Sequence, residues 1–179
     1  MSERNLFLIG DVPGFTPQVS RLLSMMNYAR HTTLSEVEGL EVEHLDYLHD
    51  AQSNSIGALL LHIASVEVAY QAATFSARDL NEEEKREWGA ALDLGERGRR
   101  EIRGHDLAYY VGRLNDVRAK TLFELGRRDD NWLDEQTPFW GGRRANNYFK
   151  WFHVFEDELS HRGQIRWLRK RATKNTAGR

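Results

Sequence analysis

The chain has 179 residues, no cysteine, and 25 Lys and Arg against 27 Asp and Glu, for a net charge of -2. That length makes one domain able to bury a core unaided, and the missing Cys rules out a disulfide framework, a thiolate metal site, a catalytic cysteine and a redox thiol. The balanced charge argues against a general nucleic-acid-binding surface.

In chain order, an N-terminal extension over 1–15 precedes a helix that Thr16 and Pro17 open as cap and first residue. Val19, Leu22, Leu23 and Met26 give it an apolar face to about 31. A short helix is expected around 41–48. Ser53, Asn54 and Ser55 then start a long helix to about 75. Its apolar run over 58–64 is interrupted by His62 and is too short to span a bilayer. Asn81, followed by three glutamates, opens a shorter helix that stops near Leu94 and Gly95. The mixed-sign stretch 96–103 reads as a solvated connection. Further long helices are expected over about 106–125 and 146–171, joined by a loop over 126–144. A basic tail follows over 172–179. No strand-like alternation stands out, and the opening residues carry no signal-peptide pattern. The reading is a single all-α domain, a four-helix bundle with short additional helices, located in the cytoplasm.

Chemistry concentrates on two of these helices. At about 100° per residue, Asp157 and His161 lie within about 40° of each other, beside Val154, Ile165 and Leu168. His62 shares a helix face with Leu59, Val66 and Ala69, and small neighbours leave room for something to approach its ring. Together His62, Asp157 and His161 make a two-histidine, one-carboxylate set suited to a divalent Zn, Ni, Mn or Fe ion. The plainer reading makes His62 a hydrogen-bonded core histidine, and Asp157 with His161 an i,i+4 pair stabilising by roughly 0.2–0.5 kcal/mol.

The segments NSIGALLLHIASVE over 54–67 and WFHVFEDELSHRGQI over 151–165 resemble the DinB-like family, and the resemblance extends over about 16–171. It implies a metal-binding four-helix bundle associated with damage or stress, a homodimer, and, for some members, transfer of a low-molecular-weight thiol to an electrophile. The family pattern uses three histidines. His62 and His161 match two of them, and Asp157 stands where the third is usual.

Glu67, His153 and Glu158 are candidates for acid–base work. For Glu67 and Glu158 the alternative is a solvated or interface carboxylate; His153 is read as a fourth ligand, a partner to one, or a flanking residue. The segment Pro138-Phe139-Trp140-Gly141-Gly142 either caps a site mouth or plugs the loop. Asn146 and Asn147 read as helix caps, and Tyr148 as turned away from the site. Seven basic residues from Arg162 to Arg179 raise nucleic acid as a partner, but cations at a helix C-terminus have an ordinary explanation in the helix dipole. The expected function is a metal-dependent enzyme activating a thiol or water toward a small electrophile, of S-transferase or hydrolase type. The competing reading is a non-catalytic, stress-associated bundle with a structural metal or none.

Overall fold

The computed structural model describes residues 6–177, with side chains to 174. The first five residues of the N-terminal extension and Arg179 of the basic tail lie outside the described residues. The elements are α1 (Pro17–Ser35), α2 (Val42–Leu45), α3 (Ile56–Phe75), α4 (Glu82–Asp93), α5 (Gly95–Glu101), α6 (Leu107–Leu125), α7 (Asp130–Asp134), β1 (Gln136–Pro138), β2 (Arg144–Asn146) and α8 (Asn147–Ala177).

The local chemistry of the helix starts follows the sequence at α3, α4 and α6, whereas Thr16 holds the cap position of α1 without a side-chain cap, its hydroxyl donating instead to Asp130. Ser55 accepts a hydrogen bond from the amide of Ala58, Asn81 from Glu84, and Asp106 from Tyr109, each satisfying an amide that the first helical turn leaves open. Three expectations are corrected. The stretch read as a connection over 96–103 forms α5 over most of its length. The last helix runs on to Ala177, so the basic tail is largely helical. The expected loop holds α7 and an antiparallel ribbon in which Gln136, Thr137 and Pro138 pair with Asn146, Ala145 and Arg144. Its turn needs left-handed backbone at two consecutive positions, Gly141 (φ 63°) and Gly142 (φ 75°), which explains the glycine pair. Strands of three residues leave the all-α class intact.

The long helices α1, α3, α6 and α8 pack around two hydrophobic clusters. One gathers Val37, Leu59, Leu60, Tyr110, Leu114 and Ile165, and the other Leu22, Leu23, Met26, Leu125, Trp151 and Phe155. Passing along α1 and α8 one meets the second cluster first; along α3 and α6 the order is reversed. The two pairs therefore run in opposite directions. Helix α3 is long and apolar enough by composition to cross a membrane, but 72% of that apolar window is buried inside the bundle. It is the central core helix, which explains its lack of a polar face. At Gly57 a Cβ would come within 2.5 Å of the Tyr110 hydroxyl, so the absent side chain is what lets α6 approach α3.

Between the two clusters lies a polar layer built from each long helix in turn. Arg30 of α1 donates to Glu158 of α8 (2.9 Å) and to Glu67 of α3 (3.2 Å). Arg118 of α6 donates to Glu67 (2.8 Å) and lies 3.6 Å from Glu158. Thr121 adds a 2.6 Å hydrogen bond to Glu67. Glu67 and Glu158 are completely buried, which corrects their reading as solvated or interface carboxylates. Buried charge is tolerated here because each carboxylate meets two guanidiniums and the net charge of the group is zero. Burial alone would push the Glu67 carboxyl up; Arg118 and Arg30 outweigh it and hold the group below the usual carboxylate range.

Three basic residues of α8 reach α1 and the turn that follows it. Arg169 donates to the carbonyls of Ser35, Glu36 and Glu38, capping the end of α1, while Arg166 pairs with Glu36 at 2.6 Å and Arg162 donates to Thr32.

Candidate metal centre

The three residues that the sequence singled out as ligands come together. One nitrogen from each of His62 and His161 and one oxygen of Asp157 lie within 4.8 Å of one another. Helix α3 contributes His62, and one turn of α8 contributes Asp157 and His161. The two rings meet edge-on at 4.6 Å, and the carboxylate faces both, with Oδ2 at 3.8 Å from His62 Nε2 and Oδ1 at 3.5 Å from His161 Nε2. Both separations are too long for good hydrogen bonds.

The orientation of His62 is set from outside the triad. Its Nδ1 lies 2.8 Å from the carbonyl of Ala91 in α4. A carbonyl only accepts, so Nδ1 carries the proton and Nε2 presents a lone pair toward Asp157. Burial is the main influence lowering the His62 pKa from its ordinary value; His161 lowers it further, whereas the Ala91 carbonyl and Asp157 raise it. The neutral form is the one that ligates metal.

These residues fit a divalent cation. Asp157 Oδ2 and His161 Nδ1 are buried with no hydrogen-bond partner, an arrangement that costs free energy unless something else satisfies the groups. An oxygen-and-nitrogen donor set of this kind suits Zn, Ni, Mn or Fe without selecting among them.

His62 and Asp157 form part of the wall of a pocket of about 700 Å3, with Tyr70, His153, Lys150 and Trp140 among the other lining residues. The polar lining of α8 follows one stripe. Lys150, His153 and Asp157 fall at i, i+3 and i+7, and His161 continues it at i+11. His153 is therefore on the pocket wall, one turn from the carboxylate and outside the ligand cluster. Its Nδ1 lies 3.1 Å from Glu156 Oε2, and its ring meets Trp140 edge-on at 4.9 Å and Tyr70 at 5.8 Å. Glu67 and Glu158 do not line the pocket; their oxygens face the arginines of the core.

Trp140 is 65% exposed, stacks on Phe139 at 4.7 Å and lines the pocket, so it is no buried plug. Asn146 caps α8 by accepting from the Phe149 amide, while Asn147 instead donates from its side chain to the carbonyl of Trp132. Tyr148 packs against the cluster around Trp151 and does not line the pocket.

The sequence reading missed Tyr70 and Lys150. Tyr70 is eight residues beyond His62 on α3, and burial, reinforced by Asp157, pushes its phenol well above the ordinary value, so it stays a donor. Lys150 could have been found from its seven-residue spacing to Asp157.

A family model described as mycothiol-S-transferase matches residues 21–174. No curated protein matches the chain. The matched span covers most of the sequence, and the chain belongs to the mycothiol S-transferase family, within the DinB-like superfamily.

Proposed function

We propose, from that membership, that this chain is a divalent-metal-dependent transferase that joins mycothiol to a small electrophile, with His62, Asp157 and His161 as the metal ligands. The observation that carries the reading is the open edge of the triad. Three potential ligands converge, and two of them, His62 and Asp157, line a pocket large enough for a small molecule, leaving room beyond the protein's own donors, as a catalytic metal requires. A cation bound there would lower the pKa of a thiol and so supply the nucleophile at neutral pH.

The remaining work falls to this chain's own side chains. Tyr70 keeps its proton and faces the pocket, so it donates to oxygen or halogen as negative charge develops on the departing or adding group. His153, its Nδ1 oriented by Glu156, is the pocket base placed to take up the thiol proton. Trp140 and Phe139 shield the mouth from water. Glu67 and Glu158, earlier candidates for acid–base work, are assigned to the core instead, because their oxygens are already committed to guanidiniums. A homodimer in the cytoplasm belongs to the same proposal, the first part checked by light scattering.

The test is metal content of untagged protein by inductively coupled plasma mass spectrometry, coupled to an assay of mycothiol conjugation with a chloromethyl arene. The expected result is stoichiometric divalent metal, and turnover lost on chelation and restored by one of Zn, Ni, Mn or Fe. Protein that cannot be loaded with any of these would overturn the reading. Metal retention with its coordination closed by a further protein group, and no conjugation, would favour the structural-metal alternative.

A further inference from the structure

The pocket contains a buried cation that no carboxylate among the described residues neutralises. Lys150 is 3% exposed and sits on the pocket wall under the ribbon. Its Nζ donates to the Thr137 hydroxyl and lies 5.8 Å from the centre of the Phe139 ring. No carboxylate among the described residues pairs with it. An ammonium has three N–H groups, and one hydroxyl satisfies one of them. The other cation at the pocket, Arg78, is committed: it holds Glu84 in a two-pronged pair at 2.6 and 2.8 Å. The same molecule handles its other buried cations differently, since Arg30 and Arg118 each face two carboxylates. Burial lowers the Lys150 pKa, the expected response of an ammonium removed from water with no anion beside it. Leaving a charge in this condition is costly unless a ligand completes it.

We propose that Lys150 is a specificity-determining residue that binds a carboxylate on the electrophilic substrate, making this protein selective for apolar or aromatic acids. The inference rests on the transferase reading above. Lys150 lies two helical turns from Asp157 on the same face of α8, about 10 Å along the axis. That separation leaves room for about one ring between the carboxylate and the reacting carbon. Val66, Ala69, Ala73, Leu80 and Phe139 give the intervening wall its apolar character. With 4-(chloromethyl)benzoate as substrate, the thiolate sulfur bonds to the benzylic carbon, the C–Cl bond breaks, and chloride leaves with the electron pair. The thiol proton passes to His153 or to solvent, and the carboxylate stays on Lys150 throughout.

The experiment compares binding of unreactive 4-methylbenzoate and 4-methylbenzamide by calorimetry, in purified protein before and after chelation, for wild type and for Lys150→Met, Lys150→Arg and Thr137→Val. Wild type is expected to prefer the acid by about tenfold or more, the scale of one charge-assisted hydrogen bond. Lys150→Met is expected to erase the preference and Lys150→Arg to retain part of it. Thr137→Val removes the hydroxyl tie to the ribbon but keeps the cation, so the preference should survive. Equal binding of acid and amide by wild type, which needs no variant to fold, would overturn the proposal. So would a preference that persists in Lys150→Met but disappears on chelation, since that assigns the carboxylate to the triad. Conjugation of 4-(chloromethyl)benzamide with mycothiol tests the chemistry separately. An intact acid preference with neither chloromethyl probe turned over would remove the transferase reading and uphold the anion-binding role of Lys150.

Discussion

Two polar clusters are embedded in the same bundle, five residues apart on α3 and side by side on α8, and they are finished differently. Glu67 and Glu158 sit in a group in which carboxylates and guanidiniums alternate and every helix of the bundle contributes. His62, Asp157 and His161 use the neighbouring positions, yet the Asp157 and His161 atoms named above have no hydrogen-bond partner. Adjacent residues of α8, Asp157 and Glu158, face different surroundings because one helical step turns a side chain by about 100°. A closed cluster stabilises and specifies the packing of four helices. An open one keeps coordination capacity for a ligand, and the cost of leaving it open is the reason to look for one.

That contrast is broken most severely at the closed cluster. Glu67→Ala leaves Arg30 and Arg118 facing a single carboxylate in the core and should destabilise by about 3–5 kcal/mol in urea unfolding. A loss under about 1 kcal/mol would mean that water reaches the layer. Asp157→Ala should do the opposite: little change in stability of the metal-free protein, but a fall in metal affinity of at least about 100-fold by competition with a chelating dye. Metal retained at wild-type affinity would remove Asp157 from the ligand set.

The clusters should also separate on the pH axis. The Glu67 carboxyl titrates below its unfolded value, so the unfolded chain takes up the proton more readily. Its contribution to stability is full above about pH 4.3 and is lost as pH falls through the depressed folded value. Protons compete with metal for the imidazoles at higher pH, and since His62 is held below its ordinary value, release should set in below about pH 6.5. Metal content and circular dichroism followed together should thus show loss of metal before loss of fold; coincident transitions would merge the two clusters. The smallest effect is at the rim. Trp140→Ala, at a mostly exposed position, should shift stability by no more than about 0.5 kcal/mol while raising KM for the electrophile. An unchanged KM would separate the ribbon from substrate binding.

Much of this was legible before folding because it is local. Ser55 and Asn81 announced their helices, and the i,i+4 spacing of Asp157 and His161 put both on one inward edge. On a helical wheel Glu158 falls between Val154 and Trp151. What it lacked was the partners: Arg30 and Arg118 lie 128 and 40 residues from Glu158 in the chain, and nothing local says that two arginines on otherwise apolar helix faces will converge on it. Lys150 was missed for a related reason, since its isolation becomes apparent only when the ribbon folds over it and no carboxylate comes with it.

The sequence by itself determined the long helices, the all-α class and the ligand pair on α8, because periodicity, capping and i,i+4 geometry act within a few residues of chain. Tertiary structure decided which charges are sealed and which are open. It brought His62 to Asp157, turned its Nδ1 to the carbonyl of Ala91, gave Glu67 and Glu158 their arginines, and left Lys150 without an anion among the described residues. Those outcomes depend on groups distant in sequence meeting where water is excluded, and there the presence or absence of a single partner sets the chemistry of a side chain.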